Sequence, residues 1–176
     1  MLSWIKSQWI LFLLLMSLNL LNKMFDNYPT FALDIDNFVS PLCKYVDFDD
    51  IPSLSPPGKF SMLLLNIRSC RKNFLNFTSH FQKYLYNFSC IALVETWLTK
   101  DFDNIFTICG FQSCNIYRTN FGGGVRLYYR RNLNLKLLPA FVSVNDVCEV
   151  LTVELSCTDK KFVLCVFYHP PHLLII

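Results

Sequence analysis

The stretch "CIALVETWL" at residues 90–98 decides the fold that we predict for this chain. Its first five residues are apolar, a pattern typical of a strand that is buried on both faces of a sheet. Glu95 follows directly and closes the predicted strand at 90–95, so a carboxylate stands where an apolar strand ends. The fold thus brings one charged group to the edge of its core, a position suited to chemistry.

The preceding residues extend this strand into a larger unit. The run "FSMLLLN" at 60–66 is also short and apolar, and it predicts a first buried strand that ends at Asn66. Between the two strands, apolar residues recur at helical spacings of three and four, which predicts a helix with its apolar face in the core; these are Phe74, Phe77, Phe81, Leu85 and Phe88. Strand, helix and strand in this order predict parallel pairing of the two strands.

A glycine run marks the next feature. The segments "FQSCNIYRT" at 111–119 and "VRLYYRR" at 125–131 flank "NFGGG" at 120–124. Glycines supply the positive φ of tight turns, so this pattern predicts a hairpin. Three further strands are predicted at 133–138, 147–155 and 161–168, and the sequence as a whole predicts the α/β class.

The N-terminal part differs in character, and we predict an extension over residues 1–41 followed by one domain over 42–176. The extension contains the apolar run "WILFLLLMSLNLL" at 9–21 after Lys6. Its length is that of the apolar region of a signal peptide and is short for a membrane span. Any membrane association is therefore expected through this run.

Composition limits the classes of protein. Hydrophobic residues make up 53% of the chain and 17 residues are Phe, which excludes global disorder. A net charge of +3 is compatible with a polyanionic partner but is lower than in dedicated nucleic-acid binders. The eight cysteines form no CxxC pair, which excludes a zinc ribbon and favours reduced, buried thiols over a disulfide framework.

Two strand ends carry polar residues that can bind a cation. If the strands ending at Asn66 and Glu95 are parallel neighbours, both side chains emerge at the same sheet edge. Carboxylate and amide oxygens suit Mg²⁺, which uses one or two protein carboxylates, water and substrate phosphate. The alternative is that Asn66 caps a turn and Glu95 begins a solvated loop.

Further candidates surround the hairpin and the last strand. Arg118, Arg126 and Arg130 lie on or beside the hairpin, where they form either a nucleic-acid contact or a solvated, charged turn. Tyr168 and His169 end the last strand, immediately before Pro170, and can contact phosphate. The glycine run lacks the GxxxxGK[ST] pattern and precedes a strand, which excludes a P-loop, and no small-molecule cofactor is expected.

Five blocks in order resemble a known family. They are "FSMLLLNIRSCRKNF", "CIALVETWL", "GFQSCNIYRTNFGGGVRLYYRRNL", "VCEVLTVEL" and "FVLCVFYHPP". Together they resemble the first half of the apurinic-type endonuclease domain of LINE-like, non-LTR retrotransposons. These endonucleases belong to the endonuclease/exonuclease/phosphatase superfamily, and the resemblance covers roughly residues 42 to 172.

The resemblance implies a four-layered α/β sandwich that hydrolyses phosphodiester bonds with Mg²⁺ and nicks target DNA to prime reverse transcription. Asn66 matches the active-site asparagine of the family, Glu95 its metal-binding glutamate and Tyr168 a phosphate-side tyrosine. The glycine run is similar to the "GGGV" hairpin of the family. DNA is the implied partner and Mg²⁺ the implied cofactor.

The sequence also departs from the family. His169 stands where this branch usually has arginine, Cys70 stands where leucine is common, and the "GDFN" and "SDH" blocks do not occur before Ile176. We therefore expect a truncated, inactive fragment of a transposable-element endonuclease, located inside the cell. Two alternatives are a small secreted, disulfide-containing glycoprotein with sequons at Asn76 and Asn87, and a non-catalytic module that binds nucleic acid.

Overall fold

Two β-sheets and one α-helix make up the described part of this protein. The computed structural model describes residues 11–16, 60–119, 122–145, 148–157 and 160–169. Within these ranges the secondary structure is mixed, with short 3₁₀ turns beside the helix and the strands. The predicted α/β class is confirmed.

The first sheet has four strands in the order β2-β3-β5-β4. They are β2 (Met62–Asn66), β3 (Cys90–Val94), β4 (Phe111–Ile116) and β5 (Val125–Arg130). β2 and β3 pair in parallel, and β5 pairs antiparallel with both β3 and β4. The predicted parallel pair and the predicted hairpin are both confirmed.

The helix α1 (Cys70–Phe81) connects β2 to β3 and ends earlier than its apolar spacing suggested. Phe74 and Phe77 are buried, as the spacing predicts. The chain then tightens into a 3₁₀ turn at Leu85–Asn87, with Tyr84 N–H donating to Phe81 O at 2.7 Å. Leu85 and Phe88 still pack in the same core as Phe74 and Phe77. The apolar residues at helical spacing are therefore shared between α1 and the 3₁₀ turn.

The second sheet is antiparallel throughout. It contains β1 (Leu11–Met16), β6 (Asn134–Leu137), β7 (Ser143–Val144), β8 (Glu149–Cys157) and β9 (Lys160–Tyr168). The order is β1-β9-β8-β6, and β7 also pairs with β8. The three strands predicted after the hairpin are present, with shifts of one or two residues at their ends.

β1 lies within the apolar run at 9–21 and pairs with β9, Leu11 opposite Tyr168 and Met16 opposite Val163. The rest of that run lies outside the described residues, as does most of the predicted extension at 1–41. The domain limits predicted from the sequence stay predictions. None of the described helices is long and apolar enough to cross a membrane.

The first sheet is the middle of three layers. Ile91 and Leu93 of β3 face α1, whereas Ala92 and Val94 face the second sheet. Both faces of β3 are therefore buried, which explains why its sequence is an unbroken apolar run. The strand end at Glu95 is consequently the first point where this part of the chain leaves the core.

Candidate functional site

Glu95 is held in an unusual backbone conformation directly after β3. Its φ is 56°, in the left-handed region that costs free energy for a residue other than glycine. Its carboxylate accepts hydrogen bonds from Trp97 Nε1 at 2.5 Å and from Gly123 N–H at 3.3 Å. The Tyr168 hydroxyl donates a third hydrogen bond to it. Glu95 is thus a half-buried, oriented carboxylate, unlike a residue in a solvated loop.

Tyr168 brings the second sheet to Glu95. It is the last residue of β9 and is buried. Burial, together with the hydrogen bond to Glu95, raises the pKa of the Tyr168 phenol. The hydroxyl therefore stays protonated at neutral pH and remains a hydrogen-bond donor.

The glycine turn packs directly against the residues that follow Glu95. Gly123 and Gly124 have φ values of 73° and 86°. Their carbonyl oxygens accept hydrogen bonds from Trp97 N–H at 2.9 Å and from Thr96 N–H at 3.2 Å. A Cβ on Gly124 would lie 2.6 Å from Thr96 Oγ1, so this approach requires glycine.

Glu149 joins the cluster and was missed by our sequence reasoning. It begins β8, is 0% exposed and lies opposite Tyr168 in the β8–β9 register. Its Oε2 accepts a hydrogen bond from Gly124 N–H at 2.7 Å, and its Oε1 lies 3.6 Å from Arg118 Nη1. Burial raises the pKa of the Glu149 carboxyl, and the nearby Glu95 adds to this, against the opposing effect of Gly124 and Arg118.

A signal for Glu149 does exist in the sequence. The alternating residues 149, 151, 153 and 155 of β8 are all buried, and the last three are Leu151, Val153 and Leu155. The period of two therefore places an acidic residue on an apolar, inward face. Such a placement indicates a partner inside the protein.

Asn66 lies at the predicted sheet edge and also caps a turn. It pairs with Val94 in the parallel register, one residue before Glu95. Its Oδ1 accepts a hydrogen bond from Arg68 N–H at 3.1 Å. The structure thus confirms the shared sheet edge, while the Asn66 side chain makes the local contact of a turn cap.

The structure separates the three arginines, and Arg118 is the one that lies at the cluster. Arg126 is 1% exposed, and its Nη2 donates to Asp103 O at 2.8 Å and to Ser113 Oγ at 3.0 Å. It holds the loop at 99–108 onto the face of the sheet that α1 covers. Our interpretation of Arg126 as a nucleic-acid contact is not supported, because its guanidinium is enclosed by the protein.

Arg130 lies at the far end of the same sheet. β5 runs antiparallel to β3, so Arg130 is close to the start of β3 and roughly 17 Å, the length of a five-residue strand, from its end. Its Nε donates to Phe88 O at 3.0 Å, and its guanidinium lies 5.2 Å from the Phe111 ring centre. Arg118 and Arg130 therefore belong to opposite ends of the sheet.

The Glu95 carboxylate has little free capacity left to bind a Mg²⁺ ion. A carboxylate has about four acceptor positions, and three donors already contact Glu95. Among the residues that the structure describes, no group of three or more His, Cys, Asp or Glu side chains is arranged to hold a metal. Glu95 would hold Mg²⁺ together with water and phosphate, which is the usual coordination of this ion.

Comparison with known proteins does not assign the chain to a family. No protein-family model matches the sequence, and no curated protein matches it. The function of the site therefore has to be inferred from the geometry above and from the resemblance of the five sequence blocks.

Proposed function

We propose that this chain carries the metal- and phosphate-binding half of a Mg²⁺-dependent phosphodiesterase site that acts on DNA, of the type found in non-LTR retrotransposon endonucleases. Glu95 is the metal ligand, Asn66 and Tyr168 lie on the phosphate side, and Arg118 contacts the DNA backbone. The observation that carries this proposal is the hydrogen bond between Tyr168 and Glu95. Tyr168 and Glu95 are 73 positions apart and belong to two of the five sequence blocks that carry the resemblance. The hydrogen bond brings them together in one cluster.

The layer order supports the finer fold that we propose. A helix, a four-stranded sheet and an antiparallel sheet are stacked in sequence, with one core in each of the two spaces between layers. In a four-layered α/β sandwich of the endonuclease/exonuclease/phosphatase type, these would be three of the four layers. The proposed fold places Glu95 and Tyr168 where the edges of the two sheets meet.

The residues of the cluster have distinct chemical roles in this proposal. Bound Mg²⁺ would stabilise negative charge on the phosphate oxygens. The indole Nε1–H of Trp97 and the backbone N–H of Gly123 orient the Glu95 carboxylate, and Tyr168 is a protonated donor beside it. Arg118, whose side chain is 24% exposed, brings a positive charge to the rim of the same cluster.

We also propose that these residues do not complete hydrolysis by themselves. Phosphodiester hydrolysis needs a general base within hydrogen-bonding reach of the attacking water. In the described cluster, Glu95 and Glu149 are the two carboxylates, and both already accept hydrogen bonds from the protein. The expected activity of the chain is therefore metal and DNA binding without strand cleavage.

Metal binding tests the role of Glu95. We would measure Mn²⁺ binding to the full chain by water proton relaxation, with Glu95→Gln as the variant and Glu154→Gln as the matched control on the opposite face of β8. Glu95→Gln should abolish saturable binding, and Glu154→Gln should leave the Kd unchanged. Equal Kd values for the parent chain and Glu95→Gln would remove Glu95 as the ligand.

DNA binding and cleavage test the remaining roles. Arg118→Gln should weaken binding to duplex DNA and reduce the slope of log K against log salt by about 1, whereas exposed Arg131→Gln should have a smaller effect. Supercoiled plasmid with Mg²⁺ should stay intact in the presence of the chain. Nicking that Glu95→Ala abolishes would show that the chain is a complete nuclease.

The structure gives less support to the two alternative functions, a secreted disulfide-containing glycoprotein and a non-catalytic module that binds nucleic acid. The six cysteines whose side chains are described are all unpaired, which gives no support to a disulfide framework; they are Cys70, Cys90, Cys109, Cys114, Cys148 and Cys165. A basic hairpin that binds nucleic acid without metal has one fewer of its three predicted arginines available, because Arg126 is buried. Neither alternative accounts for an oriented carboxylate at Glu95.

A further inference from the structure

We propose that Glu149 is a positioning residue, whose buried carboxylate holds the turn at Gly123 and Gly124 in the one arrangement that presents Gly123 N–H to Glu95. The part of this proposal that concerns metal affinity rests on the proposed function. The part that concerns the turn and the Glu95 carboxylate does not, since it can be measured without metal.

Two consecutive peptide groups of the turn bind the two carboxylates. Gly123 N–H donates to Glu95 Oε2 at 3.3 Å, and Gly124 N–H donates to Glu149 Oε2 at 2.7 Å. The positive φ at both glycines sets the direction of these N–H groups. Any rotation of the turn that breaks the hydrogen bond to Glu149 therefore also moves the donor of Glu95.

The carbonyl oxygens of the turn are hydrogen-bonded as well. The Gly123 and Gly124 oxygens accept hydrogen bonds from Trp97 and Thr96, the two residues after Glu95. A Cβ on Gly123 would lie 2.0 Å from Glu149 Oε1, so Glu149 packs against the turn without a gap. The turn is a rigid spacer between the end of β3 and the start of β8.

The negative charge of Glu149 also affects how strongly the site attracts a cation. Buried carboxylates are costly, and this one is balanced by Gly124 N–H and by Arg118 on one side. The titratable groups that face it are Glu95 after β3, Tyr168 on β9 and Cys148, the residue just before β8. Its negative charge next to Glu95 strengthens the attraction of the site for a cation.

Amide proton shifts in the parent chain test the geometry without any substitution. An amide that donates to a carboxylate changes its chemical shift when that carboxylate titrates. We expect the Gly124 amide to titrate with a midpoint above the ordinary value for glutamate, and the Gly123 amide to show an inflection at the same pH. A Gly124 amide without a titration would overturn the proposal.

Glu149→Gln then separates positioning from mere packing, because glutamine keeps the size of the side chain and weakens the charge-assisted hydrogen bond to Gly124 N–H. The Gly124 titration should disappear, and with it the Gly123 inflection at that pH. The Mn²⁺ Kd should rise about tenfold or more, as for residues that support a metal ligand. Glu154→Gln, on the same strand, should change neither.

The outcomes distinguish the two proposals. If Glu149→Gln removes the Gly123 inflection while Glu95→Gln leaves Mn²⁺ binding intact, the positioning role holds and the proposed function fails. If Glu95→Gln abolishes Mn²⁺ binding while Glu149→Gln changes neither the inflection nor the Kd, the positioning role is wrong. Should Glu149→Gln fail to fold, the parent titration still decides the hydrogen-bond geometry.

Discussion

Tyr168, the last residue of β9, donates its hydroxyl hydrogen bond to Glu95, the first residue after β3. The two residues belong to different sheets, so this bond joins the sheets at one edge. Glu149 lies opposite Tyr168 on the neighbouring strand and binds the glycine turn. Four separate segments of the chain therefore meet around one half-buried carboxylate.

The glycine turn should tolerate substitution at one position and not at the next. Gly123→Ala should reduce the free energy of unfolding by about 1–3 kcal/mol, because alanine is strained at a φ of 73° and its Cβ meets Glu149 Oε1. Gly122→Ala meets nothing within 4 Å and should stay within about 0.5 kcal/mol of the parent. Urea unfolding measures both, and equal stability of the two variants would contradict the packed turn.

The hydroxyl of Tyr168 should contribute to stability through its bond to Glu95. Tyr168→Phe keeps the ring and removes one hydrogen bond to a carboxylate, so we expect a loss of about 1 kcal/mol in urea unfolding. Tyr86→Phe is the control, since Tyr86 is 51% exposed and the change keeps its ring. Identical midpoints for the two variants would show that the contact contributes nothing.

Stability should depend on pH through Glu149. Its pKa is raised above the ordinary value of 4.5 in the folded chain, mainly by burial, so the folded state holds this proton more tightly than the unfolded state. The contribution of this group is full below pH 4.5 and decreases as pH rises towards its folded pKa. Glu149→Gln should remove this decrease in a series of urea unfolding curves, and an unchanged slope would argue against a buried, ionisable Glu149.

Arg126 should matter for folding and not for binding. Arg126→Ala removes the donors to Asp103 O and Ser113 Oγ and leaves a cavity at a buried position, which should cost about 3 kcal/mol. Arg131→Ala, at an exposed position, should change stability by less than about 0.5 kcal/mol. If Arg126→Ala instead weakened DNA binding at unchanged stability, Arg126 would be a surface contact.

Most secondary structure could be predicted because its signals are local. The apolar runs at 60–66 and 90–94 and the helical spacing of Phe74 and Phe77 each lie within about a dozen residues. Parallel pairing of β2 and β3 followed from the intervening helix, and the hairpin followed from the glycines. The end of α1 was missed, since Leu85 and Phe88 continue the spacing although the chain changes to a 3₁₀ turn.

The sequence by itself determined the α/β class, the parallel pair β2 and β3, the hairpin and the position of Glu95 at a strand end, because hydrophobic period and turn chemistry act between near neighbours. Only the tertiary structure decided that Glu149 lies beside the turn and that Arg126 is buried. Alternation along a strand divides its side chains between two faces, but it does not say what covers each face. That depends on contacts between segments far apart in the chain, such as the pairing of β8 with β9 and the packing of one sheet on the other.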